Sequence, residues 1–206
     1  MLERQLTSGL GELGLSLEKS QINQLLVYIE QMEKWNKTYN LTAVRNSRDM
    51  VNRHLLDSLA LLPWVTGDSL VDVGSGAGLP GVPLAIAREN MAVTLLDSLG
   101  KRCRFLSHVK RKLGLNNVTV VESRAEDWVV DERPALITAR AVATLPVLLE
   151  QTRHLFSAGT VLLASKGRWP QAELDSLPAD FSLIESIKLE IPGVEGERHL
   201  LRIKLT

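Results

Sequence analysis

Apolar positions in the first 62 residues recur at helical steps. From Ser20 to Tyr39, Ile22, Leu25, Leu26, Ile29, Met32 and Trp35 return every three or four residues, and Met50, Val51, Leu55, Leu59 and Leu62 repeat the pattern over residues 48–62. The spacing predicts two amphipathic helices, the first with a start signal at Ser16 and the second stopped by Pro63. A polar connection containing aromatics, Asn36 to Thr42, joins them. From residue 69 the period shortens. Ser69–Val73, Val93–Asp97, Val118–Val121, Ala135–Thr138 and Val161–Ala164 are short apolar runs, each followed by a stretch able to form a helix. This alternation predicts a parallel sheet with helices on both faces. Ser182–Glu190 and His199–Leu205, joined by Pro192–Gly196, read as an antiparallel hairpin that closes the sheet. The expected organisation is a helical extension over residues 1–64 and an α/β domain over residues 65–206.

Composition narrows the classes. With 206 residues, 45% hydrophobic and 23% charged, the chain is long enough to bury a core and is neither disordered nor fibrous. The single cysteine, Cys103, excludes an intramolecular disulfide framework and a cysteine-rich zinc site, and predicts a reducing, cytoplasmic location. No apolar run approaches bilayer length, and Met1–Gln5 leads into no signal-like apolar segment. Lys and Arg number 24 against 24 Asp and Glu, with no basic tail. Any basic surface has to be assembled by folding.

The candidate chemistry sits where strands end. Asp72-Val-Gly74-Ser-Gly76-Ala-Gly78-Leu79-Pro80-Gly81 follows the first strand. Glycines there permit a tight turn and close backbone approach to a ligand, and the next helix adds its N-terminal dipole. Gly76-x-Gly78-x-x-Gly81 fits a dinucleotide pattern; Asp72-x-Gly74-x-Gly76-x-Gly78 fits an S-adenosylmethionine loop. A carboxylate repels a pyrophosphate and attracts an ammonium and a sulfonium, so Asp72 favours S-adenosylmethionine. Asp97, ending the second strand, is placed to accept ribose hydroxyls or to cap a helix. After the third strand, Glu126 or Asp127 could meet an adenine amino group, or belong to a solvated acidic loop. Lys101, Arg102, Arg104, Lys110, Arg111 and Lys112, with His108 and no acid among them, form the densest basic segment. Like charges on one helix repel, and an RNA backbone would supply the missing counter-charge; a solvated helix face is the competing reading. Arg140 and Lys166-Gly167 follow the fourth and fifth strands, where open α/β sheets bind ligands. His54 and Asp57 share a helix face and read as a satisfied pair, and Cys103 as a bystander.

These segments occur together in an order that resembles a known family. The glycine loop, Leu96-Asp97-Ser98-Leu99-Gly100-Lys101-Arg102, Arg140-Ala141, Lys166-Gly167 and Gly196-Glu197-Arg198 follow Lys34-Trp35-Asn36, Tyr39-Asn40-Leu41-Thr42 and His54-Leu55-Leu56-Asp57-Ser58. From about residue 20 onward the chain is similar to the bacterial ribosomal RNA small subunit methyltransferase G family, also called glucose-inhibited division protein B. The resemblance implies a class I methyltransferase fold with a mostly parallel seven-stranded sheet, and methyl transfer from S-adenosylmethionine to N7 of one guanine in the 530 loop of 16S rRNA. It places cofactor contacts at Gly74, Leu79, Ala125, Glu126 and Arg140, in addition to Asp72, Gly76, Gly78 and Asp97. Arg140 is expected to position the reaction, with no general base and no metal. Lys101, Arg102, Arg104, Lys166 and Arg198 are expected to meet RNA. The partner is 16S rRNA or the small ribosomal subunit, met by a monomer away from membranes. An oxidoreductase would prefer a Tyr-x-x-x-Lys pair, and neither Tyr28 nor Tyr39 has a lysine four residues on. A methyltransferase for proteins or small molecules, and a cofactor-regulated binding protein, are the other competing classes.

Overall fold

A computed structural model describes residues 1–140 and 142–206; Ala141, part of the Arg140-Ala141 motif, lies outside the described residues. The chain opens with helices α1 (Leu2–Glu12) and α2 (Lys19–Tyr39). α2 is capped by Glu18 rather than by Ser16. The Glu18 side chain takes the Gln21 backbone N–H, and the Gln21 side chain accepts the Glu18 N–H at 2.9 Å, a capping box built from Glu and Gln. α2 ends at Asn40, whose φ of 50° lies in the left-handed region that Asn tolerates. Asn36 then pins the following turn. Its amide donates to the Val44 carbonyl and its Oδ1 accepts the Thr42 N–H at 2.9 Å.

The second predicted helix is broken into parts. α3 (Ser47–Met50) passes into a π-helical segment, Val51–Leu56, and then α4 (Asp57–Leu59). Pro63 does not stop an α-helix; it sits in the first turn of a short 3₁₀ segment, Leu62–Trp64, where its missing N–H costs nothing.

Seven strands complete the chain: β1 (Ser69–Val73), β2 (Ala92–Asp97), β3 (Val118–Glu122), β4 (Leu136–Arg140), β5 (Val161–Lys166), β6 (Phe181–Lys188) and β7 (His199–Leu205). They are ordered β3-β2-β1-β4-β5-β7-β6. β7 runs antiparallel to both neighbours, and the β6–β7 pairing slips register between Leu183 and Glu185. α5 (Gly81–Ala87), α6 (Gly100–Leu113), α7 (Leu145–Thr152) and α8 (Gln171–Asp175) connect the strands. Alternation along each strand sorts the core. Leu70, Val93, Leu95, Leu163 and Leu200 face one cluster with α1, α2, α5 and α6. Val71, Val73, Ile137, Leu162 and Ile203 face the other with α7. Residues of the helical extension, among them Leu6, Leu25, Tyr28 and Leu55, lie in the same cluster as Val82 and Leu106.

Register brings the site together. Val73 pairs with Leu96 and with Ala139, Asp97 with Glu122, and Arg140 with Ser165. The carboxyl ends of the parallel strands are therefore level. The strand order reverses between β1 and β4, the point at which an open α/β sheet forms a crevice.

Tyr28 ties the extension to this edge. It is fully buried, and its hydroxyl donates to the Ala77 carbonyl at 2.5 Å. Tyr28→Phe leaves that buried carbonyl without its partner and is expected to cost about 1–3 kcal/mol of unfolding free energy by urea titration; an unchanged midpoint would remove this bond from the account.

Candidate active site

The turn after β1 is shaped by packing as well as by its ligand-facing surface. Gly74 has φ 64°, and a Cβ there would come within 2.7 Å of the Val142 side chain. Gly78 has φ 91°, and its Cβ would meet Val82 at 2.6 Å, Leu106 at 2.9 Å and the Tyr28 hydroxyl at 3.1 Å. Gly78 thus lets the loop press against the helical layer, and Gly74 lets it pass under the chain that follows β4. Gly76 presents its N–H to Asp97 Oδ2 at 2.8 Å.

The two acidic residues chosen from the sequence have different surroundings. Asp72 is fully buried beneath the loop: Oδ2 accepts the Gly81 N–H and Oδ1 the Thr138 hydroxyl, both at 3.0 Å. Burial pushes its pKa up to about 6, against the pull of these donors and of Arg140. Its geometry braces the loop against the start of α5. Asp97 lines the crevice. Its Oδ1 accepts the Leu99 N–H at 2.9 Å, and its Oδ2 is shared by Gly76 and by Arg102 Nη1 at 3.3 Å.

Two cavities meet along this edge, and Gly74 and Arg102 line both. The larger, about 460 Å³, runs past Leu96, Asp97, Ala125, Glu126 and Val142. The smaller, about 230 Å³, lies between Leu41 and Thr42 of the extension, the Gly76 and Leu79 loop, and Arg140. Apolar walls, the Asp97 and Glu126 carboxylates and loop backbone together fit the mix of apolar, hydroxyl and amine groups that S-adenosylmethionine carries.

Arg140 lines the smaller cavity. Its Nη1 donates to Asp57 Oδ2 at 2.8 Å and to the Arg53 carbonyl at 3.3 Å, while Arg198 Nε donates to Asp57 Oδ1 at 3.1 Å. His54 turns elsewhere. Its Nδ1 lies 2.9 Å from the Arg53 carbonyl and its Nε2 2.8 Å from the Thr42 hydroxyl. Nδ1–H therefore donates and Nε2 accepts. His54 and Asp57 are not each other's partners, as their helical spacing had implied, because the π-helical segment changes which way each points.

The basic residues divide into two groups. Lys101 and Arg104 are exposed on α6. Arg102 reaches back to Asp97, Lys166 binds Glu173 at 2.7 Å and the Ala143 carbonyl at 3.3 Å, and Arg198 holds Asp57. Cys103 is buried, its thiol directed at the Asp97 carbonyl at 3.3 Å, and burial pushes its pKa up to about 11.

A sheet ordered β3-β2-β1-β4-β5-β7-β6 with β7 reversed, a glycine loop after β1 and an acid ending β2 define the class I S-adenosylmethionine-dependent methyltransferase fold. Coclaurine N-methyltransferase superposes with a TM-score of 0.58 at 13% identity, covering 91% of this chain and 73% of that one. A SAM-dependent methyltransferase from Aquifex aeolicus superposes at 0.56 with 20% identity, covering 73% and 91%. Sequence similarity is narrower: the family described as rRNA small subunit methyltransferase G matches residues 21–201. Ribosomal RNA small subunit methyltransferase G of Marinobacter nauticus is 49% identical over 197 residues, 96% of this chain and 92% of that one. Its counterpart in Escherichia fergusonii is 45% identical over 200 residues, 97% of each. The chain belongs to the rRNA small subunit methyltransferase G family.

Asp72 and His54 give opposite pH dependences. Burial, helped by Arg140, lowers the His54 pKa from 6.5 to about 4. The unfolded chain binds a proton there that the fold refuses, so this term raises stability as pH climbs from about 4 to 6.5. Asp72 is raised from 3.8 to about 6, so the fold keeps a proton the unfolded chain has released, and this term lowers stability as pH rises over that range. In urea unfolding across this interval, Asp72→Asn is expected to gain stability over the unsubstituted protein as pH rises. His54→Gln is expected to gain as pH falls. Difference curves that stay flat would assign both groups ordinary pKa values.

Proposed function

We propose that this chain methylates N7 of one guanine in the 530 loop of 16S rRNA, with S-adenosylmethionine as the methyl donor. The observation that carries this reading is the composition of the cavity walls. Their ionisable groups are Asp97, Arg102, Arg124, Glu126 and Arg140; among the described residues no histidine, lysine, tyrosine or cysteine lines either cavity. The two carboxylates are the only ionisable proton acceptors among the described lining residues, and Asp97 already holds the Gly76 and Leu99 N–H groups and Arg102, so the wall suits an acceptor atom with no proton to lose. Guanine N7 is such an atom, with an in-plane lone pair.

S-adenosylmethionine supplies an electrophilic methyl on a sulfonium, and its transfer to N7 moves the positive charge from sulfur to the purine. The protein's part is alignment and exclusion of water, terms worth up to about 7–11 kcal/mol in well-oriented systems. Gly74, Leu79 and the Gly76 N–H shape the donor side, with Asp97, Ala125 and Glu126 toward the nucleoside. Asp72 supports the loop from below. Arg140 faces the acceptor. An arginine that gripped both O6 and N7 would block the reaction, so Arg140 takes O6 and leaves N7 open. His54 does not serve as a base, since its Nε2 lone pair is already used by Thr42.

The target base enters from a loop or from an unstacked position. Lys101 and Arg104, exposed on α6, meet phosphates, with Lys166 and Arg198 beside the carboxyl ends of the parallel strands and Arg102 between cofactor and RNA. A monomer acting in the cytoplasm on rRNA or on an assembled small subunit fits this substrate. Among the described residues no helix is long and apolar enough to cross a membrane.

Nucleoside mapping of small-subunit RNA after single-turnover reaction is expected to place the methyl on guanine N7, with a rate nearly flat from about pH 6.5 to 8.5 because the transfer needs no protein base. Methyl on an exocyclic amine or on ribose, or a tenfold rise across that window, would reject the reading. For the RNA surface, Lys101→Glu and Arg104→Glu are each expected to flatten the dependence of log affinity on log salt by about 0.7–0.9, the loss of one phosphate contact, while calorimetric affinity for S-adenosylmethionine holds. A slope equal to that of the unsubstituted protein would make this side of α6 an ordinary solvated surface.

A further inference from the structure

Asp57 is where the helical extension reaches the catalytic edge. It directly follows the π-helical segment. A π turn inserts an extra residue and rotates the next side chains away from their α-helical directions, and such turns cluster at functional sites. The Asp57 side chain is only 10% exposed. A carboxylate so placed needs partners, and it has two, drawn from positions 83 and 141 residues away. Neither arginine takes both oxygens. Oδ2 goes to Arg140 and Oδ1 to Arg198.

This division leaves capacity unused. A guanidinium has five N–H donors. Arg140 commits Nη1 to Asp57 and the Arg53 carbonyl; Arg198 commits Nε to Asp57 and Nη1 to the Glu197 carbonyl. Both side chains remain partly exposed, at 22% and 29%, and Arg140 lines the smaller cavity. One carboxylate between two guanidiniums cancels one charge and leaves the other. A staple would use a single arginine on both oxygens; a shared carboxylate aims two arginines at once.

We propose that Asp57 is a positioning residue for methyl transfer: by dividing its oxygens between Arg140 and Arg198 it orients both guanidiniums before the RNA arrives and leaves one positive charge for the incoming nucleotide. The proposal rests on the methyl-transfer reading above. Holding two long side chains in advance removes ordering entropy that substrate binding would otherwise have to supply.

Asp57→Asn keeps the shape and one acceptor oxygen and removes the charge. At saturating cofactor and small-subunit RNA, its single-turnover rate is expected to fall about 10–100-fold, with the circular dichroism spectrum retained. Added to a variant carrying both Arg140→Gln and Arg198→Gln, it is expected to cost less than about a further threefold, because both groups it positions are gone. A purely structural role would instead multiply the losses. An unchanged rate for Asp57→Asn, or a full multiplicative loss when both arginines are already replaced, would overturn the proposal. An inactive unsubstituted protein in the same assay would overturn the methyl-transfer reading instead, so the two failures are distinct. Nitrogen-15 NMR of the arginine side chains adds a readout free of activity and of the variant's folding. Slow guanidinium rotation for Arg140 and Arg198 in the unsubstituted protein is expected, and fast rotation of either would overturn the clamp.

Discussion

Two buried carboxylates hold the turn after β1, and the site depends on that hold. Asp72 takes the Gly81 N–H from beneath, and Asp97 takes the Gly76 N–H from the side. Hydrogen bonds to charged groups are worth about 1.5–3 kcal/mol each, enough to keep a glycine-rich turn in one conformation despite its large conformational freedom. The cost appears in the electrostatics. Asp72 has no cation directly on it, so burial pulls its pKa up to about 6. Asp97 adds Arg102 and the Leu99 N–H to its partners.

The helical extension completes what the sheet begins. Through Tyr28 it fixes the Ala77 carbonyl, through Asn36 it fixes the turn carrying Thr42, and through the π-helical segment it delivers Asp57. Leu41 and Thr42 form a wall of the smaller cavity. Removing the extension would strip the apolar face of α5 and α6 and open that cavity on one side. The extension and the sheet share both a hydrophobic cluster and a binding surface.

Much of this was legible in the chain. Short, nearly continuous apolar runs ending in glycine or acid identify the strands and their functional ends, because a parallel strand buried on both faces has little room for polar residues. The final hairpin, with β7 reversed, is readable from two β-rich runs joined by a Pro-Gly turn. The hidden part depends on geometry that residue types do not announce. A Glu-Gln capping box puts the cap of α2 at Glu18, since Ser16 has no matching partner. The π-helical segment has an ordinary helical apolar pattern, so the separate partners of His54 and Asp57 could not be read from spacing. Arg102 sits in a run of cations that looks uniformly solvated, and only the fold shows that it turns back to Asp97.

The register slip between Leu183 and Glu185 has a consequence at the margin of the molecule. β6 and β3 are the two ends of the sheet, each with one row of backbone donors and acceptors unpaired within it. β3 spans only five residues, and β6 is interrupted by the slip and carries Glu185 and Lys188. A second chain laying a strand along β6 would meet a broken ladder and charged side chains in place of a continuous template. The irregularity works against self-templated pairing along that edge, in a chain whose formal net charge of zero gives its copies no overall repulsion.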